Sequence, residues 1–153
     1  NLNLFTSLGI YTPEELRSRQ EISLEEYAKT ITIEAKTSLD ILKKQIVPAC
    51  ISYSKEVADG VAVKKSIGVS AEGEAGLVRT ITDKTAALME RMSALEAAAN
   101  AIPDGDMAKA AQYCADAVIP AMEEARALAD ELELLVGQDH WPFPTYRDLL
   151  FYV

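Results

Sequence analysis

The side chains able to carry acid–base, nucleophilic or metal chemistry are few in this sequence and poorly spaced for it. His140 is the one histidine and stands beside Trp141. With no HExxH, CxxC or CxxH spacing, no zinc site is expected. Di-iron bundles need inward-facing Glu-x-x-His pairs, and none occurs. His140 is therefore read as a packed or exposed side chain, neither ligand nor base. Cys50 and Cys114 lie in apolar helical patterns and read as buried free thiols of a reducing compartment. The stretch GVSAEGEAG (68–76) looks like a phosphate loop but lacks Gly-Lys-Ser/Thr, and its two glutamates would repel an anion, so a flexible loop is expected. Glu14-Glu15, Glu25-Glu26 and Glu123-Glu124 flank apolar stripes, where carboxylates are solvated. General acid–base work needs them in an apolar cleft. Lys43-Lys44 and Lys64-Lys65 read the same way. No catalytic, cofactor-binding or metal-ligating residue is assigned in this segment.

The totals bound what remains. A chain of 153 residues, 49% hydrophobic and 25% charged, can build one domain with a real core. A net charge of −9 argues against nucleic acid, whose phosphates need Lys/Arg surfaces, and against anionic lipid. No run of 18 apolar residues exists, so no membrane span is expected, and no signal peptide is visible. The amphipathic stripes lack the basic flanks of a lipid-surface helix. The chain begins at Asn1 rather than Met, which reads as an excised fragment or a processed product.

Residues 1–11 show no clear period and read as an incoming linker. TPEE then starts a helix, with Thr12 as cap, Pro13 in the first turn and Glu15 closing a capping box. Ser23 and Glu26 offer a second box, so either two helices meet here or one runs through. A stripe in steps of three and four follows: Leu24, Tyr27, Ile31, Ala35, Leu39, Leu42, Ile46, Cys50, Tyr53, Val57. This helix is expected to stop near Asp59-Gly60. Residues 60–76 hold four of the seven glycines and read as the main interruption. Ile81, Thr85, Leu88, Met92, Leu95, Ala99 and Ile102 then form a heptad seam. IPDGD (102–106) ends it. A third stripe follows: Met107, Ala111, Cys114, Val118, Ala121, Ala125, Leu128, Leu132, Leu135. So short a link makes the second and third helices antiparallel, and Gly137 is expected to cap the third. Pro48 and Pro120 sit inside unbroken stripes and predict kinks at similar heights, not helix ends.

The resulting fold class is all-α: an elongated antiparallel bundle of three long helices, with a short N-terminal helical segment and a C-terminal docking tail. The expected divisions are 1–11 linker, 12–137 bundle and 138–153 tail. The tail, HWPFPTYRDLLF (140–151), is unusually apolar. Its prolines hold an extended path and present Trp141 and Phe143 at low entropic cost. Thr145 is expected to cap a last turn that displays Tyr146, Leu149, Leu150 and Phe151. Trp141, Phe143, Tyr146, Leu149 and Leu150 are the candidate docking residues. Trp141 and Phe143 are expected to be largely buried against helix side chains, with Leu149 and Leu150 nearby.

The run YTPEELRSRQEISLEEYAKTITIEA, then QIVPA, then a helical hairpin and WPFPTYRDLLF, resembles the C-terminal region of bacterial type III glutamine synthetases over about residues 10–153. The resemblance implies a parent enzyme, cytoplasmic and ring-forming, that joins ammonia to glutamate using ATP and Mg/Mn. Its catalytic domains would lie upstream in the same chain, and a helical extension placed after them would suit assembly or support. No catalytic motif of that family maps onto these residues. The alternative is a free-standing helical interaction module without an enzymatic parent.

Overall fold

The computed structural model describes residues 2–144 and 146–150, with the backbone alone for Leu2, Asn3, Tyr146 and Arg147. Thr145 and Phe151, named above for the last turn, lie outside the described residues. A short helix, α1 (Leu2–Ser7), precedes α2 (Pro13–Ile41), which runs through the Ser23 site as one helix. A π-helical turn, π1 (Leu42–Ile46), joins α2 to α3 (Val47–Ser66). α4 (Glu72–Asn100) returns alone. The third rod repeats the pattern of the first, with α5 (Met107–Tyr113), a π turn π2 (Cys114–Val118) and α6 (Ile119–Glu133). The chain ends on α7 (Tyr146–Leu150), and no strand occurs among the described residues.

The start of α2 forms for the reason its sequence implies. Glu15 N–H donates to Thr12 Oγ1 at 3.2 Å, and Thr12 N–H donates back to Glu15 Oε2 at 2.8 Å, so two orphan donors are satisfied reciprocally. These hydrogen bonds, the backbone one first, hold the Glu15 carboxyl below the ordinary carboxylate range. Asp106 caps α5 by accepting from Ala108 and Lys109 N–H, both at 3.1 Å, and is lowered chiefly by the Lys109 backbone bond.

The helical hairpins follow from their links. α3 packs on α4, α4 on α6, and α2 on both α4 and α5. The first and third rods therefore run parallel, with α4 antiparallel to both. The core follows the stripes: Ala28, Ile31, Ala35, Leu39, Leu42, Ile46 and Cys50 from the first rod, Ile81, Leu88, Met92 and Leu95 from α4, and Cys114, Val118, Ala125 and Leu132 from the third. Thr85 is the buried polar residue of the seam, and its hydroxyl donates to Ile81 O at 2.7 Å. Burial of α2 begins at Ala28. The turns before it extend about 22 Å past the core at 1.5 Å per residue. On this overhang Phe5 meets Tyr11 edge-on at 6.1 Å, and Arg19 lies over the Tyr11 ring at 4.8 Å.

Three expectations need correction. Residues 2–7 are helical, although the sequence there shows no clear period. The first rod does not stop at Asp59-Gly60. A single glycine costs a helix only about 1 kcal/mol, and the flanking turns carry α3 on to Ser66. It ends where Gly68 takes φ +76° and Val69 N–H reaches back to Lys64 O at 2.9 Å. The interruption is therefore confined to 67–71, and α4 already includes Gly73 and Gly76. Gly137 is not a left-handed cap, because α6 ends at Glu133 and the positive-φ glycines are Gly9, Gly68 and Gly105.

Both prolines sit inside continuous helical paths, and each follows a π turn. Val47 N–H bonds to Leu42 O, and Ile119 N–H bonds to Cys114 O. A proline ring in a regular helix collides with the carbonyl four residues back. Widening the preceding turn by one residue gives the ring room. Residues from around both π turns line one groove, so the two features lie at neighbouring levels.

In a regular helix an interior proline costs roughly 3 kcal/mol. Here that gain is not open to Pro48→Ala. Reverting the turn to α would rotate everything after it by about 100° and pull the fully buried Cys50 from its seat. Pro48→Ala and Pro120→Ala should each shift stability by no more than about 1 kcal/mol in urea melts. A gain near 3 kcal/mol would show that the ring alone imposes the π turn. Burial raises the thiol pKa values of both Cys50 and Cys114. Both should therefore resist a maleimide in the native chain and react in denaturant. Fast native alkylation would contradict the packing.

Candidate functional site

The tail is placed by the way α6 ends. After Glu133 the chain stays wound for one more turn, with Val136 N–H donating to Leu132 O at 2.9 Å. Gly137 then passes so close to α3 that a Cβ there would lie 3.0 Å from Tyr53 Cε2. A Cβ at that distance would require the Tyr53 ring to give by a few tenths of an ångström, which favours glycine here without any unusual backbone angle. The next turn closes with His140 N–H on Gly137 O at 2.9 Å and Trp141 N–H on the same oxygen at 3.1 Å. His140 packs its ring on Tyr53 at 5.3 Å between centroids and sets Nε2 3.1 Å from Glu56 Oε2. It is a packed latch residue bridging tail and α3.

Trp141 follows into the core and is 9% exposed, in the same cluster as Leu42 and Ala129. Phe143 meets the indole edge-on at 6.5 Å but keeps 37% of its surface exposed. Leu149 and Leu150 are 67% and 69% exposed. The expectation of a largely buried pair of rings therefore holds for Trp141 and not for Phe143. The indole Nε1 of Trp141 is the one buried side-chain polar atom without a hydrogen-bond partner among the described residues.

The groove holding Trp141 and Phe143 lies between the first and third rods and encloses about 630 Å³. Leu42, Ile46, Ile119 and Met122 form its floor, and Glu34, Glu123, Asp130 and Glu133 stand on its rim with Arg126. The sequence pattern did not show this groove. The stripes mark Leu42 and Ile46 as core, and nothing in them shows that the third rod leaves a gap beside Phe143. Among the described residues, no three His, Cys, Asp or Glu side chains gather where they could hold a metal ion. Among the described residues, no helix is long and apolar enough to cross a membrane. A carboxylate-rimmed groove is also the wrong chemistry for a triphosphate, which it would repel.

A closed helical bundle with a folded-back apolar tail defines a class by its architecture: an all-α helical domain. The comparisons specify which. Residues 1–65 match the family described as the glutamine synthetase C-terminal domain. The chain is 32% identical over 154 residues to a glutamine synthetase of Butyrivibrio fibrisolvens, covering 99% of this chain and 22% of the relative. It is 31% identical over 159 residues to a type-3 glutamine synthetase of Dictyostelium discoideum, with coverage of 99% and 22%. A glutamine synthetase of Bacteroides fragilis is 30% identical over 151 residues, covering 93% of this chain and 20% of the relative. The chain belongs to the glutamine synthetase C-terminal domains and spans about a fifth of the length of these relatives. The likeness is not confined to bacteria, since the relative named type-3 comes from Dictyostelium.

Replacing a buried indole by a methyl should leave a cavity, so Trp141→Ala should cost about 3–5 kcal/mol in urea unfolding. Trp141→Phe should cost clearly less, because it also removes the unpartnered N–H. Gly137→Ala should push Tyr53 aside and loosen the latch, at about 1–3 kcal/mol. A chain indifferent to Trp141→Ala would show that the tail adds nothing to the bundle.

Proposed function

We propose that this domain serves assembly or structural support in an enzyme that ligates ammonia to glutamate with ATP and divalent metal (Mg/Mn), its catalytic domains lying upstream. The observation that carries the reading is the alignment of 99% of this chain with proteins named glutamine synthetase, of which it spans only 22%. Binding ATP or Mg/Mn is not assigned to these residues. The partners are the upstream catalytic domains of the same polypeptide and further copies in a ring-shaped homo-oligomer, in the cytoplasm. The domain limits in this reading are 12–137 for the bundle and 138–153 for the tail, with the segment before residue 12 leading in from the catalytic domains.

The tail divides the docking work. Trp141 locks the segment to its own bundle, while Phe143, Leu149 and Leu150 keep apolar surface outward, with Tyr146 on the same turn of α7. An apolar α7 left in water favours association, so its role is contact with the catalytic domains or a neighbouring copy.

This 153-residue chain alone should neither hydrolyse ATP nor make glutamine. Metal-dependent glutamine synthesis by the pure chain would overturn the division of labour. In the full-length protein, Leu149→Glu with Leu150→Glu should break the oligomer on size-exclusion chromatography. The same pair should leave the urea midpoint of the isolated domain nearly unchanged, within about 0.5 kcal/mol. An intact, fully active oligomer carrying both charges would remove α7 from assembly.

A further inference from the structure

The groove beside the tail is longer than two rings need. Its walls run from Glu34 to Ile46 on α2 and π1, and from Ile119 to Glu133 on α6. At 1.5 Å per residue that is about 18–21 Å of helix, the length of a peptide helix of about 14 residues. The floor is apolar on both sides: Ile41, Leu42 and Ile46 face Ile119, Met122 and Ala129.

The charges on this groove differ from those on the other seams. Between α4 and α6, Arg91 Nη1 lies 3.0 Å from Glu124 Oε2, and Lys84 pairs with Glu131. Between the first rod and α4, Lys43 Nζ lies 2.8 Å from Glu96 Oε2, and Lys64 pairs with Glu74. Each of those seams carries its own cations. On the rim of the groove, Arg126 reaches only Asp130 of its own helix, at 3.6 Å. Glu34, Glu123 and Glu133 enter no ion pair among the described residues. Glu123 and Glu124 make the contrast within one step of sequence, since the second meets Arg91 while the first lines the groove and enters no ion pair. The buried donor without a partner, Trp141 Nε1, also belongs to a residue of this wall.

We propose that this groove seats a basic amphipathic helix, its apolar stripe on the Leu42–Ile46 and Ile119–Met122 floor and its Lys or Arg flanks against Glu34, Glu123 and Glu133. Helix-in-groove docking uses an apolar trough of this kind, and the acid-rich rim adds charge complementary to Lys or Arg. An acidic rim also speeds encounter with a basic partner and rejects an acidic one. The proposal names the chemistry of one docking partner. It rests on the reading above only for where that helix comes from, namely the part of the protein outside this chain.

The test uses this chain with two synthetic helical peptides of about 14 residues, free of Trp. One has a Leu stripe flanked by Lys, the other the same stripe flanked by Glu. Trp141 is the only tryptophan and lines the groove, so its emission reads occupancy. The Lys peptide should give a saturable shift that weakens as salt is raised, and the Glu peptide should give none. Glu123→Lys with Glu133→Lys should weaken the Lys peptide at least about tenfold, whereas Glu90→Lys with Glu72→Lys on α4 should leave it nearly unchanged. Unaltered urea midpoints show that the variants fold. No shift with either peptide overturns the proposal. Equal losses in the groove and α4 variants overturn it too, by reducing binding to attraction toward an acidic chain. Because no full-length protein is used, these outcomes are independent of the assembly result for Leu149 and Leu150.

Discussion

Everything in this fold leans on one seam. Ile81, Thr85, Leu88, Met92 and Leu95 form a single stripe on α4, and α2, α3, α6 and π2 all pack against that helix. Ile81, Leu88 and Leu95 are wholly buried, each gaining about 1.5–3 kcal/mol relative to exposure. No other helix touches both remaining rods along so much of its length. The outer rods carry the irregularities, both prolines, both π turns and the tail, and the uninterrupted central helix holds them in place. Its seam tolerates one polar group because Thr85 satisfies its hydroxyl within its own helix.

The three stripes could be read from the sequence because apolar spacing of three and four reports a face, and the face is what the core buries. The Thr12 capping box was equally legible, being a local exchange of two hydrogen bonds. The failures are also local. Glycine at 60 was weighed as a stop, but one glycine inside long flanking turns costs less than those turns gain by packing. The prolines showed that the helix must yield, not how. Steps of four at Leu42, Ile46 and Cys50 surround a π turn, yet the same steps at Tyr27, Ile31, Ala35 and Leu39 lie in ordinary α-helix. Periodicity cannot separate the two.

At the site, composition singled out the tail, and position decided which ring is buried. Trp141 turns inward because the Gly137–Tyr53 contact brings the segment tightly against α3. Phe143 comes two residues later and keeps more than a third of its surface exposed. The acidic pairs were read as solvated, and all their members are exposed except the half-buried Glu25. What the sequence hid was that Glu124 would meet Arg91 across a seam while Glu123 would line a groove without an ion-pair partner. That difference arises only when the third rod is docked.

The overhang of α2 has a mechanical side. A helix held from Ala28 onward and unsupported before it is a cantilever. Its root is clamped by Ile31, Ala35 and Leu39, and its tip carries α1 through the Tyr11 contacts. A load at the tip acts through a lever arm of about 22 Å, so a small sideways push there becomes a large torque on the first layer of the core. Whatever α1 touches thereby steers the orientation of the whole bundle, with one continuous helix as the shaft.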